Sequence, residues 1–123
     1  MSLRIAAATV LLLGCATLLA QPSAMRINVH VTHFGYPGDP LATANTRLGL
    51  GDHNNILNPD SVAVTPDLGR VFPFGSKVYI AGKFIGFRHT TLSPKLHHTI
   101  GVYDPNGDWT GDSDSYVQFA AKK

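Results

Sequence analysis

The 123-residue chain contains no glutamate; all eight of its acidic side chains are aspartates. An aspartate reaches poorly across a cleft, so carboxylate chemistry here must sit close to the backbone that carries it. Cysteine is nearly as scarce, with Cys15 alone. Everything beyond the first 24 residues therefore has no disulfide staple, no cysteine metal site and no cysteine nucleophile. Charge is sparse at 15%, and the ten Lys and Arg are scattered rather than clustered, which argues against a nucleic-acid partner. No segment keeps a ten-residue helical period, and no apolar run is long enough to span a bilayer comfortably. About a hundred residues after the leader suffice for one core, so a single domain held by packing alone is expected, most simply as a monomer.

The leader itself is legible. Arg4 supplies a positive start, residues 5–14 are apolar, and small residues follow, the pattern of a cleaved secretory signal over residues 1–24. Residues 12–15 (LLGC) also resemble a lipoprotein box, which would anchor the chain through lipid on Cys15. Ala16 to Ala20 stays apolar where lipoproteins turn polar, so cleavage after Ala20 or Ala24 and a secreted or periplasmic product is the expectation, with the lipid anchor as alternative. Without Arg4, nine Lys and Arg face eight Asp, close to neutrality.

What is present is a series of short alternating segments. Residues 26–33 (RINVHVTH) place Ile27, Val29 and Val31 on one face, with Arg26, Asn28, His30 and Thr32 opposite. Residues 61–65 (SVAVT) alternate in the same way, as do 77–81 (KVYIA), with Val78 and Ile80 opposite Tyr79. Further strands are expected at 84–89 (FIGFRH), 99–103 (TIGVY) and 116–121 (YVQFAA). Pro and Gly punctuate them, and residues 41–60 form a long polar connection of the kind that is more often functional than idle. Six short strands and no helix read as an all-β barrel or sandwich.

The stretch VFPFGSKVYIAG at residues 71–82, preceded by SVAVT, decides between the two. It resembles the signature of the 3D (three-aspartate) domain, over residues 62 to 103. That resemblance implies a small six-stranded double-psi β-barrel with long polar loops, spanning residues 25–123. Such domains occur in membrane-bound lytic transglycosylase A and in rare lipoprotein A-like secreted cell-wall proteins. It also implies peptidoglycan glycan strands as partner, an aspartate general acid and no cofactor or metal. The three family acids are largely displaced. Thr65 follows the VAV strand, with Asp67 two positions on; His89 stands near the second acid; and Gly101 replaces the third, with Asp104 three residues later.

Glycosidic cleavage needs an acid near the leaving oxygen and a second group to assist. The candidates are Asp67, which follows the strand whose exit carries an acid in the family, and Asp52 in the cluster Asp52-His53-Asn54-Asn55. His89 and His53 would assist proton transfer. An aspartate acting as acid near neutral pH should have a raised pKa. Asn54, Asn55 and Arg88 offer hydrogen bonds to sugar hydroxyls, and Tyr36, Tyr103 and Trp109 offer faces for stacking. The bland alternative makes each aspartate a turn former and each aromatic a core residue. His30 and His33 are three apart on a strand, hence expected on opposite faces, which disfavours a shared metal. Residues 104–114 place oxygen ligands at alternate positions, Asp104, Asn106, Asp108, Asp112 and Asp114 among them, as calcium loops do, but Trp109 stands where such loops bend on glycine. Two functions remain open: a lytic transglycosylase-like enzyme, or a glycan-binding or structural barrel that has lost the acids.

Overall fold

The computed structural model describes residues 24–120. Six strands form one sheet: β1 (Ala24–Phe34), β2 (Ser61–Val64), β3 (Lys77–Ile80), β4 (Lys83–Thr91), β5 (Thr99–Tyr103) and β6 (Ser113–Ala120). Their order is β3-β4-β2-β5-β1-β6. The sheet curls until its two edge strands meet, where the Ala81 N–H donates to the Tyr116 carbonyl at 2.9 Å. The result is a small all-β barrel, one of the two architectures the alternation left open and the one the resemblance implied. Among the described residues helix is confined to single turns: α1 (Ala44–Arg47) and 3-10 turns at Asp52–Asn54 and Pro66–Leu68. Among the described residues no helix is long and apolar enough to cross a membrane. The leader assigned to residues 1–24 lies outside the described residues except for Ala24, which pairs with Ala120 at the start of β1.

Two pairings are parallel, β1 with β5 and β2 with β4. Parallel neighbours cannot be joined by a tight turn, so the chain crosses over between each pair. The connections from β1 to β2 and from β4 to β5, residues 35–60 and 92–98, run outside the barrel wall, where the clefts form. Antiparallel pairings of β2 with β5, β3 with β4 and β1 with β6 complete the wall.

The core follows the alternation. Val29, Val31, Val62, Val64, Val78 and Ile100 are buried together with Leu68, Phe72 and Val117, and Ile80 packs on their edge. Val102 is only half-buried and lies outside that cluster, beside Ile80, Ile85 and Trp109. β2 is buried at all four positions, because it runs between β4 and β5 and is covered on both faces. Its outward Ala63 packs with Phe34 and Leu57 in a second small cluster, flanked by Leu92 and Tyr103. That cluster ties the 41–60 connection to the barrel. Gly51 marks a close approach: a Cβ there would stand 2.4 Å from the His89 carbonyl oxygen.

Candidate functional site

The 41–60 connection meets the end of β4. Leu50 and Ile56 form an antiparallel bridge, the Gly51 N–H donates to the Asn55 carbonyl at 2.7 Å, and the Asn55 N–H donates to the Asp52 carbonyl at 3.1 Å. Between them His53 (φ 58°) and Asn54 (φ 57°) take the left-handed conformation, as the two central residues of a type I′ turn do. This turn aims the Asp52 side chain back at β4. Arg88 Nη2 donates to Asp52 Oδ2 at 3.2 Å and Thr91 Oγ1 donates to the same oxygen at 2.7 Å. Arg88 also donates to Thr91 Oγ1 at 2.7 Å and, through Nε, to the Thr90 carbonyl at 3.3 Å. The guanidinium is thus fixed in a fork and the carboxylate sits against it.

Asp52, His53, Arg88 and Thr91 line one groove, with Thr43 and Asn45 from the neighbourhood of α1 on its far wall. A second cleft adjoins it and shares Thr43 and Thr91. Its walls include His30, His33, Tyr36 and Asp112. At about 190 Å³ it is smaller than the roughly 300–1,000 Å³ of self-sufficient ligand pockets, so it serves as an extension of the groove.

This second cleft is built around His33. Its Nδ1–H donates to Asp104 Oδ2 at 2.7 Å, and the Tyr36 ring stacks on the imidazole with centroids 3.9 Å apart and planes within 10°. Trp109 lies near-parallel at 5.8 Å. Asp104 is buried and also accepts from the Asp108 and Trp109 N–H groups at 2.8 and 3.1 Å. The His33 hydrogen bond, against a smaller opposing push from burial and helped by those two N–H groups, holds its pKa below the ordinary 3.8. Asp112 accepts from Thr32 Oγ1 and Trp109 Nε1, each at 2.9 Å, and from His30 Nε2 at 3.2 Å. Burial alone would raise Asp112, but those donors outweigh it and the pKa is lowered. Burial and the nearby Asp39 and Asp112 charges push the Tyr36 hydroxyl up, keeping it a phenol.

Asp67 does not join these groups. It sits at the exit of β2, where it accepts from the Thr65 hydroxyl and from the His98 N–H at 2.9 Å, with the His97 and His98 rings 3.8 and 3.6 Å away. Thr65 in turn accepts from the Thr99 N–H at 3.1 Å, so Asp67 clamps the crossover to β5. Burial pushes its pKa up, but the Thr65 hydroxyl, the His98 N–H and the two imidazoles together hold it below 3.8. That is the reverse of the raised value expected for a catalytic acid.

The other sequence candidates divide. His89 turns away from the groove: its Nδ1 lies 2.8 Å from the buried Ser61 Oγ, and its ring stacks beside Phe87. Asn54 and Asn55 stay on the outer turn, where Asn55 Nδ2 donates to the Ile56 carbonyl at 3.4 Å; Asn45 takes the place assigned to them. Tyr103 packs against Phe34 and the backbone at Gly35, an aromatic of the core rather than of the groove. Tyr36 and Trp109 flank His33 as described. Within 104–114, Asp104 turns to His33 while Asp112 and Asp114 share His30, and among the described residues no group of three or more His, Cys, Asp or Glu is placed to hold a metal ion.

His33, Asp112 and Thr91 were not singled out as site residues from the sequence. The expected alternation placed His30 and His33 on opposite faces, yet both line the same cleft, at the end of β1 where pairing with β6 has stopped at Val31 while pairing with β5 continues to Phe34. The doublet of polar residues at 32–33 within an otherwise alternating strand was the available signal. Comparison with models of known families, with curated proteins and with solved structures found no match.

Proposed function

We propose that this chain is a secreted, non-catalytic glycan-binding β-barrel of the double-psi, 3D-like kind, which holds a peptidoglycan glycan strand in the groove between Asp52 and His33. One observation carries the choice of binding over cleavage. Asp52 in the groove and Asp112 in the cleft each accept from two or more donors, as does Asp104 behind His33, and the lowered pKa of Asp104 and of Asp112 is the reverse of what a general acid needs. Sugar hydroxyls are held by such acceptors, by an oriented guanidinium such as Arg88, and by aromatic faces such as Tyr36.

Retention on purified sacculi tests this reading. Asp52→Asn removes a charge-assisted contact and is expected to weaken retention about tenfold. Asp67→Asn, outside the groove, is expected to leave retention unchanged while lowering the melting temperature. Equal loss in both variants would count against the groove.

A second reading rests on the His33–Asp104 contact. An imidazole whose Nδ1–H is held by a carboxylate presents Nε2 as a base, so a glycan-cleaving enzyme would use His33 for proton transfer and not Asp67. Soluble muropeptides released from sacculi by the wild type, and abolished by His33→Ala, would establish that reading in place of simple binding.

A further inference from the structure

The outer face of the β3–β4 hairpin carries a row of aromatic rings that neither the core nor the groove accounts for. His53 meets Phe74 at 4.7 Å between centroids, Phe74 meets His89 at 6.1 Å, and His89 meets Phe87 at 6.1 Å. Phe84 then follows at 5.4 Å from Phe87, and Tyr79 at 5.6 Å from Phe84. Phe74, Tyr79 and Phe84 keep 40%, 46% and 41% of their surface in solvent, and every strongly exposed Phe, Tyr or Trp among the described residues belongs to this row. Cross-strand pairing explains part of it, since Tyr79 lies opposite Phe84 and such pairs stabilise hairpins. It does not explain Phe74, which belongs to no strand and still falls into line between His53 and His89.

Charge distinguishes this face from the rest of the molecule. Residues 77–91 hold no carboxylate, and with Arg88 paired to Asp52 in the groove they leave Lys77 and Lys83, whereas residues 104–114 hold four aspartates and no Lys or Arg. Lys77 stands opposite Phe87 in the hairpin register, on the face of the row, and Lys83 stands opposite Ile80 at the hairpin tip, at the end of the row next to Phe84. A second copy meeting this face symmetrically would set lysines against lysines, so self-association is disfavoured. The row is also continuous with the groove, because His53 lines the groove and touches Phe74.

We infer that the β3–β4 face is a second contact surface for a linear, anionic glycan chain, on which Phe74, Tyr79 and Phe84 stack against sugar rings while Lys77 and Lys83 take carboxylate or phosphate substituents. The inference rests on the glycan-binding reading of the groove and adds to it the direction in which the chain leaves, past His53, and the sign of its charge. Flat rings in a line tolerate many sugars, so the lysines supply the discrimination against neutral polymers.

The experiment compares retention of the wild type, Phe74→Ala, Tyr79→Ala, Phe84→Ala and the double variant Lys77→Gln/Lys83→Gln on purified sacculi and on chitin. Circular dichroism melts check that each variant folds. Each alanine is expected to weaken retention on sacculi about three- to tenfold. The lysine variant is expected to lose most of the salt dependence of retention and to bind sacculi no better than chitin. Folded variants retained like the wild type would overturn the surface and leave the groove standing, since Asp52→Asn would still weaken binding. A wild type not retained on sacculi at all would overturn both. Sedimentation showing a wild-type dimer that Phe84→Ala makes monomeric would make the row a self-interface and overturn the glycan assignment. Should an aromatic variant fail to fold, the exposed lysine pair decides the matter alone.

Discussion

His53 and Asn54 hold positive φ without being glycine, and a left-handed non-glycine residue costs about 1–2 kcal/mol. The turn that exacts this cost aims Asp52 at Arg88 and sets His53 against Phe74, so strain and candidate site coincide. His53→Gly is expected to raise stability by about 1 kcal/mol while weakening retention on sacculi, read by urea unfolding and by pull-down on the same samples. A variant both less stable and fully retained would separate the strain from the site. The contrast with Asp67 shows what the sequence carried at this scale. The polar cluster at 52–55 was legible because four polar residues beside glycines seldom serve a core. Asp67 and His33 were not, since their partners, His98 in one case and Asp104 in the other, are brought to them only by the crossovers. Linear spacing holds no trace of a contact made across the barrel.

At the scale of elements the alternation was sufficient. Six strands were expected and six form, with β5 matched at both ends and β4 and β6 longer than their apolar pattern. The extra residues are polar and paired with neighbours, Thr90 alone among them being buried, which is why hydrophobic periodicity missed them. The β3–β4 hairpin depends on Gly86, whose φ of 154° already disfavours a side chain. A Cβ there would stand 2.3 Å from the Asp60 carbonyl oxygen and 2.8 Å from Val62 Cγ2. Neither can move without disturbing β2, the strand buried on both faces. Gly86→Ala is therefore expected to cost about 3 kcal/mol or more, comparable with the roughly 2–4 kcal/mol of emptying the core at Val78→Ala. Thermal melts of the two variants check the comparison; a Gly86→Ala protein as stable as wild type would mean that the hairpin shifts freely past β2.

The molecule as a whole is polarised, with four aspartates in the 104–114 segment and none in 77–91. The acidic segment is pinned to β1 through His30, which lies 3.0 Å from Asp114 and 3.2 Å from Asp112. Hydrogen bonds to Asp114 and then Asp112 raise the pKa of His30 above its ordinary 6.5. A raised folded pKa gives stability that is complete below the unfolded value and lost as pH rises through the folded one. The contribution of His30 is therefore present below pH 6.5 and fades on the alkaline side. Asp67, Asp104 and Asp112 are lowered from 3.8, so theirs is present above that value and fades as pH falls through the lowered ones. The stability maximum should lie between about pH 4 and 6.5, and salt should shallow the alkaline fall because the His30 pairs are half-exposed. The same segment carries Asp104 and Trp109, which flank His33, so its release above the His30 pKa would loosen one wall of the groove. Glycan retention is expected to fall along with the urea midpoint as pH rises past 6.5, and His30→Gln to show neither change over that interval. A midpoint that climbs from mildly acid to alkaline pH, or a His30→Gln protein with the same alkaline decline as wild type, would show that His30 does not hold the acidic segment to the barrel.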